Sequence, residues 1–520
     1  MVRCNRLKPV RSLDIMSIPF QNTYTTLPER FFSKVLPAKV PAPKLISFNS
    51  ELAKELNLDL SSLSDEDLAQ YFSGSKIFES SDPIATAYGG HQFGHFSILG
   101  DGRAHLLGEV ISQSGERFDI QLKGSGQTPY SRRGDGKSSI GPVIREYILS
   151  EAMHALGIPT TRALACVTTG ETVYRQEGHV PGGVFTRVAP SHIRVGSFEL
   201  FYAQQDTDGV KQLLDYTVAR HFPDLRNSPN KALAFVKRVA SLQADLVAQW
   251  MSLGFIHGVM NTDNMSVAGV TIDYGPCAFM DHFNFSQVYS FIDRNARYAY
   301  NAQISIAQWN LSRLAQAIAS QVDPEQETAI EILNKELQGM GRFFDEAWTR
   351  HMAKKFGLDT FQDKTHTGTS GDANNEKADE SREETRKLII SYLEYLHRHS
   401  LDYTNSFREL SKSLKNSKVS DFFVATPQLT EFWNAWRSCL MREGIDADEA
   451  AKKMDSANPA YIPRNHQVEK VIQAAFQGDY QPFERLKTVL ANPYTERAED
   501  QDFSLPPEPS EIVENTFCGT

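Results

Sequence analysis

The stretch that decides the fold is HGVMNTDN (257–264), followed after eight residues by DYG (273–275). A long apolar helix predicted over Ala232–Leu253 leads into it, and Gly254 is placed to end that helix as a C-cap. Asn264 and Asp273 offer an amide and a carboxylate oxygen, and such oxygens bind Mg²⁺ together with phosphate oxygens. We therefore expect a polar loop that brings a metal ion and phosphate groups together.

The spacing within this stretch matches the catalytic loop of protein kinases. In that template an Asn lies seven residues after the His of HRD, and DFG follows beyond a short hairpin. Here Asn264 also lies seven residues after His257, and DYG takes the place of DFG. Strands predicted at Met265–Val267 and Val270–Ile272 would form the hairpin. The Asn and the Asp would then hold Mg²⁺ against the phosphates.

One position departs from the kinase template. Val259 stands where kinases carry the catalytic aspartate, and a valine side chain cannot accept a proton. Asp263 is a carboxylate of the same loop and is the candidate base for attack at a different phosphorus. The alternative for both His257 and Asp263 is a structural hydrogen-bonding role.

A lysine and a glutamate upstream form a second kinase-like feature. Lys123 ends a strand predicted at Arg117–Leu122, and a helix predicted at Val143–Leu156 carries Glu146, with Glu151 as a competitor. In kinases such a Lys–Glu pair orients the lysine on phosphate oxygens. The alternative is an exposed lysine at a strand end.

Three further segments are candidate phosphate-binding elements, because they offer arginine or lysine and two of them add glycines that let the backbone approach a phosphate. They are Gly100-Asp101-Gly102-Arg103 before a strand predicted at Ala104–Val110, the loop PYSRRGDGK (129–137), and the pair Arg187 and Arg194. The alternatives are a hairpin turn, a solvated loop and ordinary surface arginines.

The order of elements predicts an α+β protein with a two-lobed protein-kinase-like fold, a mostly helical C-terminal lobe and an extension. Periodicity predicts helices at Leu45–Leu58, Ile304–Ser320, Glu325–Phe356, Glu384–Leu414 and Pro427–Glu443. The predicted units are an N-terminal leader with a helical segment (1–80), a β-rich nucleotide-binding lobe (81–200), a helical lobe with the catalytic loop (201–360), a disordered insertion (361–386) without large apolar residues over 363–386, and a helical extension (387–520).

Composition excludes several classes of protein. The net charge of −10 speaks against nucleic-acid binding through an overall positive field. No run approaches the roughly 20 apolar residues that cross a bilayer, so we expect no membrane partner. The five cysteines are widely spaced and form no CxxC pair, which favours a reducing compartment. We expect the cytoplasm of a bacterium, or a mitochondrial location if the source is a eukaryote. The basic start (1–13) weakly resembles a targeting segment, and the favoured alternative is a disordered basic tail.

Several motifs resemble those of the selenoprotein O family, kinase-like proteins that act as protein adenylyltransferases. They are YGGHQFGHF (88–96), LKGSGQTPYSRRGDG (122–136), SEAMHALGIPTTRAL (150–164), RVAPSHIRVGSFE (187–199), HGVMNTDNM (257–265), TIDYGP (271–276), IAQWNLSRLAQA (306–317), LDYTNSFREL (401–410) and NPAYIPRNHQVE (458–469). The resemblance runs from about residue 22 to the C-terminus, apart from 363–386.

The resemblance implies that ATP is bound flipped relative to kinases, with its α-phosphate facing the acceptor hydroxyl. It implies transfer of AMP to Ser, Thr or Tyr of proteins, including the enzyme itself, with Mg²⁺ or Mn²⁺ as the metal. Asp263 would be the base, Asn264 and Asp273 the metal ligands, and Glu146 the partner of Lys123. The ATP-binding residues would be Gly100, Gly102, Arg103, Lys123, Asp135, Gly136, Arg187, Arg194 and Asp273.

Two rival functions stay open at this point. A catalytically inactive ATP-binding scaffold would bind ATP without turnover. A small-molecule phosphotransferase would need an aspartate in place of Val259. A disulfide between Cys518 and Cys277, near the DYG segment, is a further prediction, and the alternative for Cys277 is a buried apolar role.

Overall fold

The computed structural model describes residues 18–175, 178–359 and 372–517, and only the backbone of 372–379. These residues form an antiparallel sheet followed by a largely helical part, which is the α+β, kinase-like two-lobed fold that the sequence predicts. None of the helices in the described ranges combines the length and the apolar character needed to cross a bilayer.

The main sheet has the order β1-β3-β6-β7-β10-β9-β2, with β8 beside β10, and each neighbouring pair is antiparallel. The strands are β1 (Phe32–Lys34), β2 (Lys44–Phe48), β3 (Ile84–Thr86), β4 (Gly89–Gln92), β5 (His95–Ile98), β6 (Ala104–Ile111), β7 (Arg117–Lys123), β8 (Ser138–Ser139), β9 (Arg162–Arg175), β10 (Gly178–Ala189), β11 (Phe255–Ile256) and β12 (Ala278–Phe279). The two strands predicted at 104–110 and 117–122 are confirmed as β6 and β7. Both edge strands, β1 and β2, come from the segment predicted as a leader.

Helices make up most of the chain beyond the sheet. They are α1 (Ser50–Glu55), α2 (Asp65–Phe72), α3 (Ile140–Ala155), α4 (Val195–Ala203), α5 (Thr207–His221), α6 (Lys231–Ser252), α7 (Gln303–Val322), α8 (Gln326–Lys355), α9 (Asp372–His399), α10 (Tyr403–Lys415), α11 (Pro427–Glu443), α12 (Ala447–Ala457), α13 (Asn465–Phe476) and α14 (Gln481–Leu490). Five of the predicted helices are confirmed, as α3, α6, α7, α8 and α11, with each end within three residues of its predicted position.

Two of the predicted helices are wrong in part. The first four residues of Leu45–Leu58 belong to β2, because they pair with β9, and α1 begins only after Asn49, whose side chain caps it by accepting from Leu52 N. The helix predicted at Glu384–Leu414 is interrupted between α9 and α10. Ser400 takes a φ of +48° there, and Asp402 starts α10 as its N-cap.

The hairpin predicted from Met265–Val267 and Val270–Ile272 is also wrong. Ser266 forms a bridge with Arg194, and Thr271 forms one with Thr160, so both segments pair with distant parts of the chain rather than with each other. The strands that frame the loop are instead β11 and β12.

The disordered insertion predicted over 361–386 is helical where the structure describes it. Residues 372–386 begin α9, and two arginines at 382 and 386 form ion pairs with Glu346 and Asp345 of α8. Charged side chains thus attach the helix where apolar ones are lacking. The remaining part, 361–371, lies outside the described residues.

Helix α3 is enclosed between the sheet and the C-terminal helices. Its apolar residues Ile144 and Ile148 share a buried cluster with Phe185 of β10, Val468 of α13 and Phe483 of α14. Burial on both sides fixes the helix that carries Glu146.

Candidate functional site

The loop 257–275 lies between β11 and β12, directly after α6. His257 is buried, and its Nε2 lies 2.9 Å from the carbonyl oxygen of Ile272. Burial lowers the pKa of His257, so the ring is neutral and tethers the two ends of the loop. This is the structural role that the sequence left open for His257.

Asp273 is surrounded by cations from the sheet and from the segment after it. Its Oδ1 accepts from Lys123 Nζ at 2.6 Å and from Arg187 Nη1 at 2.7 Å, while Oδ2 accepts from Arg194 Nη1 at 3.4 Å. Burial alone would raise the pKa of Asp273, but the charges of Arg187, Lys123 and Arg194 outweigh it and hold the pKa well below its usual range. Asp273 therefore stays ionised, and it adopts a φ of +64° that non-glycine residues rarely take.

The register of the sheet explains why two of these cations meet. Arg187 of β10 lies opposite Gln121 of β7, and Lys123 follows two residues later on the same face of β7. Arg187 Nε donates to Gln121 Oε1 at 2.8 Å, which fixes the guanidinium above the strand.

Lys123 also contacts helix α3. Its Nζ lies 2.7 Å from Glu146 Oε2, and Arg187 Nη1 lies 3.5 Å from Glu146 Oε1. The competitor Glu151 instead holds Arg162, with Nε to Oε1 at 2.9 Å. The structure thus pairs Lys123 with Glu146 and not with Glu151.

Asp263 is nearly enclosed. Its side chain packs against Gly90 of β4 so closely that a Cβ at that position would lie 2.4 Å from Asp263 Oδ1. Burial raises the pKa of Asp263 to about 6, although the charge of Arg194 opposes the shift. Arg194 Nη1 donates to the backbone carbonyl of Asp263 at 2.9 Å. Among the described residues, Asp263 Oδ1 and Arg194 Nη2 are both buried without a hydrogen-bond partner.

The amide nitrogen of the Asn264 side chain already has a hydrogen-bond partner. Its Nδ2 donates to the carbonyl oxygen of Val259 at 3.0 Å, which leaves Oδ1 as the acceptor of that side chain. Asn264 and Asp273 line the same cavity and could hold a divalent cation together with phosphate oxygens. The described residues contain no cluster of three His, Cys, Asp or Glu that could hold a metal by themselves. This donor set fits Mg²⁺, which commonly takes one or two protein ligands and completes its shell with phosphates and water.

Two adjoining cavities hold the predicted site residues. The first, of about 400 Å³, is lined by Gly102, Arg103, Lys123, Glu146, Arg187, Arg194, Val259, Asp263, Asn264 and Asp273, among others. The second, of about 630 Å³, is lined by Gly100, Gly102, Arg103, Asp135 and Gly136, with Arg132, Arg133, Lys137 and Arg175 adding positive charge. Tyr88, Gly102, Arg103 and Arg132 line both cavities, so the two lie side by side.

Three of the predicted ATP-binding residues also have structural contacts. Asp135 forms a two-pronged ion pair with Arg175, at 2.9 and 3.1 Å. Gly100 and Gly136 allow close packing, because a Cβ would collide with the ring of Tyr130 at the first and with the backbone of Gly126 at the second. Their placement along the second cavity leaves the nucleotide-binding role a prediction.

The sequence motifs did not assign roles to several residues of the first cavity. The ring of Tyr88 lies 4.4 Å from the Arg194 guanidinium, and Asn261 accepts from the backbone of Phe93 and from Tyr298 Oη. The signal was present in YGGHQFGHF, because adjacent glycines in a strand indicate a close approach of other groups.

Fold and site together define a kinase-like protein whose DFG-type aspartate is enclosed by lysine and arginine and whose loop lacks the kinase base. Residues 14–491 match the family model described as Protein adenylyltransferase SelO, and the chain belongs to this family. A protein of Agrobacterium fabrum named Protein nucleotidyltransferase YdiU is 48% identical over 506 residues, covering 96% of this chain and 99% of its own. Proteins of the same name from Jannaschia sp. and Rhizobium leguminosarum bv. trifolii are each 48% identical, covering 97% of this chain and 99% and 98% of theirs. The chain is therefore an enzyme of the nucleotidyltransferase class.

Proposed function

We propose that this protein transfers AMP from ATP to Ser, Thr or Tyr hydroxyl groups of proteins, itself included, and releases pyrophosphate. The observation that carries the proposal is the exchange of carboxylates in the loop. Val259 occupies the position of the kinase base, and Asp263, four residues later, presents a buried carboxylate to the same cavity. A base moved along the loop suits attack at a phosphorus other than the γ-phosphorus.

In the proposed reaction the acceptor oxygen forms a bond to the α-phosphorus. The bond between the α-phosphorus and the oxygen bridging it to the β-phosphorus breaks, and the electron pair leaves with pyrophosphate. Asp263 takes the proton of the hydroxyl. Lys123, Arg187 and Arg194 are assigned to the negative charge of the leaving group, and the unpaired Arg194 Nη2 is a donor available to it.

Asn264 and Asp273 are assigned to the divalent cation, Mg²⁺ or Mn²⁺, which would neutralise phosphate charge. When ATP enters, its phosphates would share the cations that Asp273 now holds. Transfer at the α-phosphorus requires ATP to lie flipped relative to kinases. The phosphates beyond the α-phosphate would then be directed toward the second cavity. That cavity offers Arg132, Arg133 and Arg175 to the rest of the triphosphate.

The bacterial origin of the relatives supports the expectation of a cytoplasmic location.

The test uses ATP labelled on either the α- or the γ-phosphate. Purified full-length protein is incubated with Mg²⁺, a mixture of acceptor proteins, and ATP carrying its label on the α- or on the γ-phosphate. We expect label on protein, including the enzyme, from the α-position only, and its loss when the metal is chelated. Label on protein from the γ-position alone would make the chain an ordinary protein kinase and overturn the proposal. ATP binding without label on protein from either position would also overturn it, in favour of the inactive scaffold if the ATP stays intact, or of the small-molecule phosphotransferase if the γ-phosphate moves to an added small molecule.

A further inference from the structure

Apolar side chains are exposed at the edge of the first cavity. Phe291, Ile292 and Phe517 are 48%, 56% and 46% exposed. The rings of Phe291 and Phe517 lie 5.0 Å apart, and Ile292 and Phe517 also line the cavity that contains Asp263. A residue that lines a cavity while half exposed lies at its opening. We call these three residues the apolar rim.

Hydrogen bonds fix the apolar rim beside the end of the loop 257–275, which we call the reaction loop. Ser290 and Thr516 form a parallel bridge, and Thr516 N donates to the carbonyl oxygen of Tyr289 at 2.7 Å. Thr516 Oγ1 donates to the carbonyl oxygen of Pro276 at 2.5 Å, and Pro276 directly follows the DYG segment. Scattered exposed apolar residues are common, but three adjoining ones held at the opening of a reaction cavity indicate a binding surface.

We propose that the apolar rim docks the protein substrate, by seating an aliphatic or aromatic side chain that flanks the acceptor hydroxyl. This inference rests on the proposed function and names the class of acceptor that it would use. A hydroxyl on a protein reaches Asp263 only if the neighbouring residues of its chain cross the opening of the cavity. An apolar neighbour would remove the exposed surface of Ile292 and Phe517 from water, which favours binding.

The apolar rim borders only one of the two cavities. Ile292 and Phe517 line the first cavity and do not line the second, which contains the arginine-rich loop. A nucleotide that extends toward Arg132 and Arg133 therefore leaves the rim to the acceptor. The competing idea is that Phe517 stacks on the adenine ring, and kinetics distinguish the two.

The experiment measures transfer from α-labelled ATP to synthetic peptides by the full-length chain. Each peptide carries one Ser, Thr or Tyr, with Leu or Phe at each of the three positions on either side in turn, and matched peptides carry Gly, Asp or Lys there. The variants are Ile292→Ser and Phe517→Ser. The matched controls are Ile330→Ser and Phe343→Ser on α8, whose side chains are 45% and 42% exposed.

We expect the wild type to prefer peptides with an apolar neighbour at a fixed side of the hydroxyl. Ile292→Ser and Phe517→Ser should raise the KM for those peptides about tenfold, as truncation of a central apolar contact does, and abolish the preference. The KM for ATP should not change in either variant, and the controls should match the wild type. Thermal unfolding of each variant checks that it is folded.

Different outcomes overturn different claims. α-Label on peptides without any preference for an apolar neighbour, or an unchanged preference in both rim variants, would overturn this inference alone. A raised KM for ATP with an unchanged KM for peptide would assign the rim to the adenine ring and also overturn it. A wild type that places no α-label on any peptide or protein would overturn the proposed function and this inference with it.

Discussion

Two aspartates of the reaction loop lie in opposite electrostatic environments. Asp263 is desolvated against Gly90, which raises its pKa to about 6, whereas Asp273 is held ionised by lysine and arginine. Titratable groups whose pKa values are pushed apart mark different chemical roles. A carboxyl group that titrates near pH 6 can exchange protons near neutral pH, and one that is always ionised suits the binding of a cation.

The change Asp263→Asn tests the first of these roles. The amide keeps the shape of the side chain but cannot take a proton, so we expect α-label transfer to fall by a factor of about 100 or more. The ATP dissociation constant, measured by calorimetry, should stay within about twofold because the cations around Asp273 are intact. The control is Asp421→Asn, since the side chain of Asp421 is 98% exposed. Normal turnover in Asp263→Asn would remove Asp263 as the base.

How far the sequence could locate these residues depends on whether their partners are close in the chain. The spacing from His257 to Asn264 and Asp273 is local, so the loop was recognisable. The sequence assigned Glu146 to Lys123 and kept Glu151 as a competitor, because the facing of α3 depends on helices α13 and α14, more than 300 residues later. The pair of Asp135 with Arg175 arises from the β9 strand and was not predictable from either segment alone.

At the scale of elements, the hairpin of β4 and β5 positions the reaction loop. His91 N donates to Thr262 Oγ1 at 2.7 Å, and Phe93 N donates to Asn261 Oδ1 at 3.1 Å. The His91 ring is itself held, with Nδ1 at 2.5 Å from Glu199 Oε1 on α4. Contacts with the two residues before Asp263 fix the approach of its backbone, and the missing Cβ of Gly90 leaves room for its carboxylate.

The change Gly90→Ala should displace Asp263 without unfolding the protein. A Cβ at that position would lie 2.4 Å from Asp263 Oδ1 and 2.8 Å from its Cβ, so the carboxylate must move. A shift of about 1 Å is expected to reduce kcat roughly 100-fold. The KM for ATP should change less than kcat. Gly339→Ala on α8 is the matched control, since, apart from its chain neighbours and the backbone of its own helix, no atom of the described residues lies within 4 Å of the added Cβ. Wild-type kcat in Gly90→Ala would contradict the positioning role.

The same contrast between local and distant contacts governs which elements were predictable. Helices α6, α7, α8 and α11 follow their own periodicity, and the sequence places them within two residues at each end. The segments around Ser266 and Thr271 were predicted as a hairpin because they are short, apolar and close together. They pair instead with Arg194 and Thr160, which no local pattern records.

At the scale of the whole molecule, buried charged side chains attach the C-terminal extension to the lobe that carries the reaction loop. Arg464, which is fully buried, lies 2.5 Å from Asp281 and 2.9 Å from Asp402. Asp281 lies two residues after the end of β12, the strand that follows the reaction loop. Separating the extension from the loop would leave one of these charges buried without its partner, which is strongly destabilising. The extension and the reaction loop should therefore unfold together.

The predicted disulfide of Cys518 with Cys277 belongs to the same region. Cys518 lies outside the described residues, and the pairing stays a prediction.

A second buried cation gives the helical lobe a dependence on pH. Lys355, at the end of α8, is 2% exposed, and its Nζ lies 4.0 Å from the ring centre of Phe407 and 5.2 Å from that of Tyr403. Burial lowers the pKa of Lys355 from 10.5 to about 7. Below pH 7 the folded and unfolded chains both carry the proton, so the full free-energy cost of burying the charge destabilises the folded state. Between about pH 7 and 10.5 only the unfolded chain binds the proton, so stability rises with pH in this range.

Lys355→Met should therefore stabilise the protein most near neutral pH. The thioether fills a similar volume without charge, and we expect the free energy of unfolding to rise by about 2 kcal/mol at pH 7, less than the pKa shift alone implies because the cation–π contact with Phe407 is lost. The gain should shrink as the pH approaches 10, because the wild-type lysine is then neutral in the folded state and the free-energy cost of removing the proton that the unfolded chain binds falls toward zero near pH 10.5. Urea unfolding of both proteins at about pH 7, 8.5 and 10 measures this difference, with Lys418→Met, at a side chain 78% exposed, as the control. A gain that is independent of pH would mean that Lys355 is not the titrating group, and a loss of stability at pH 7 would mean that the aromatic rings favour the buried charge more than burial opposes it.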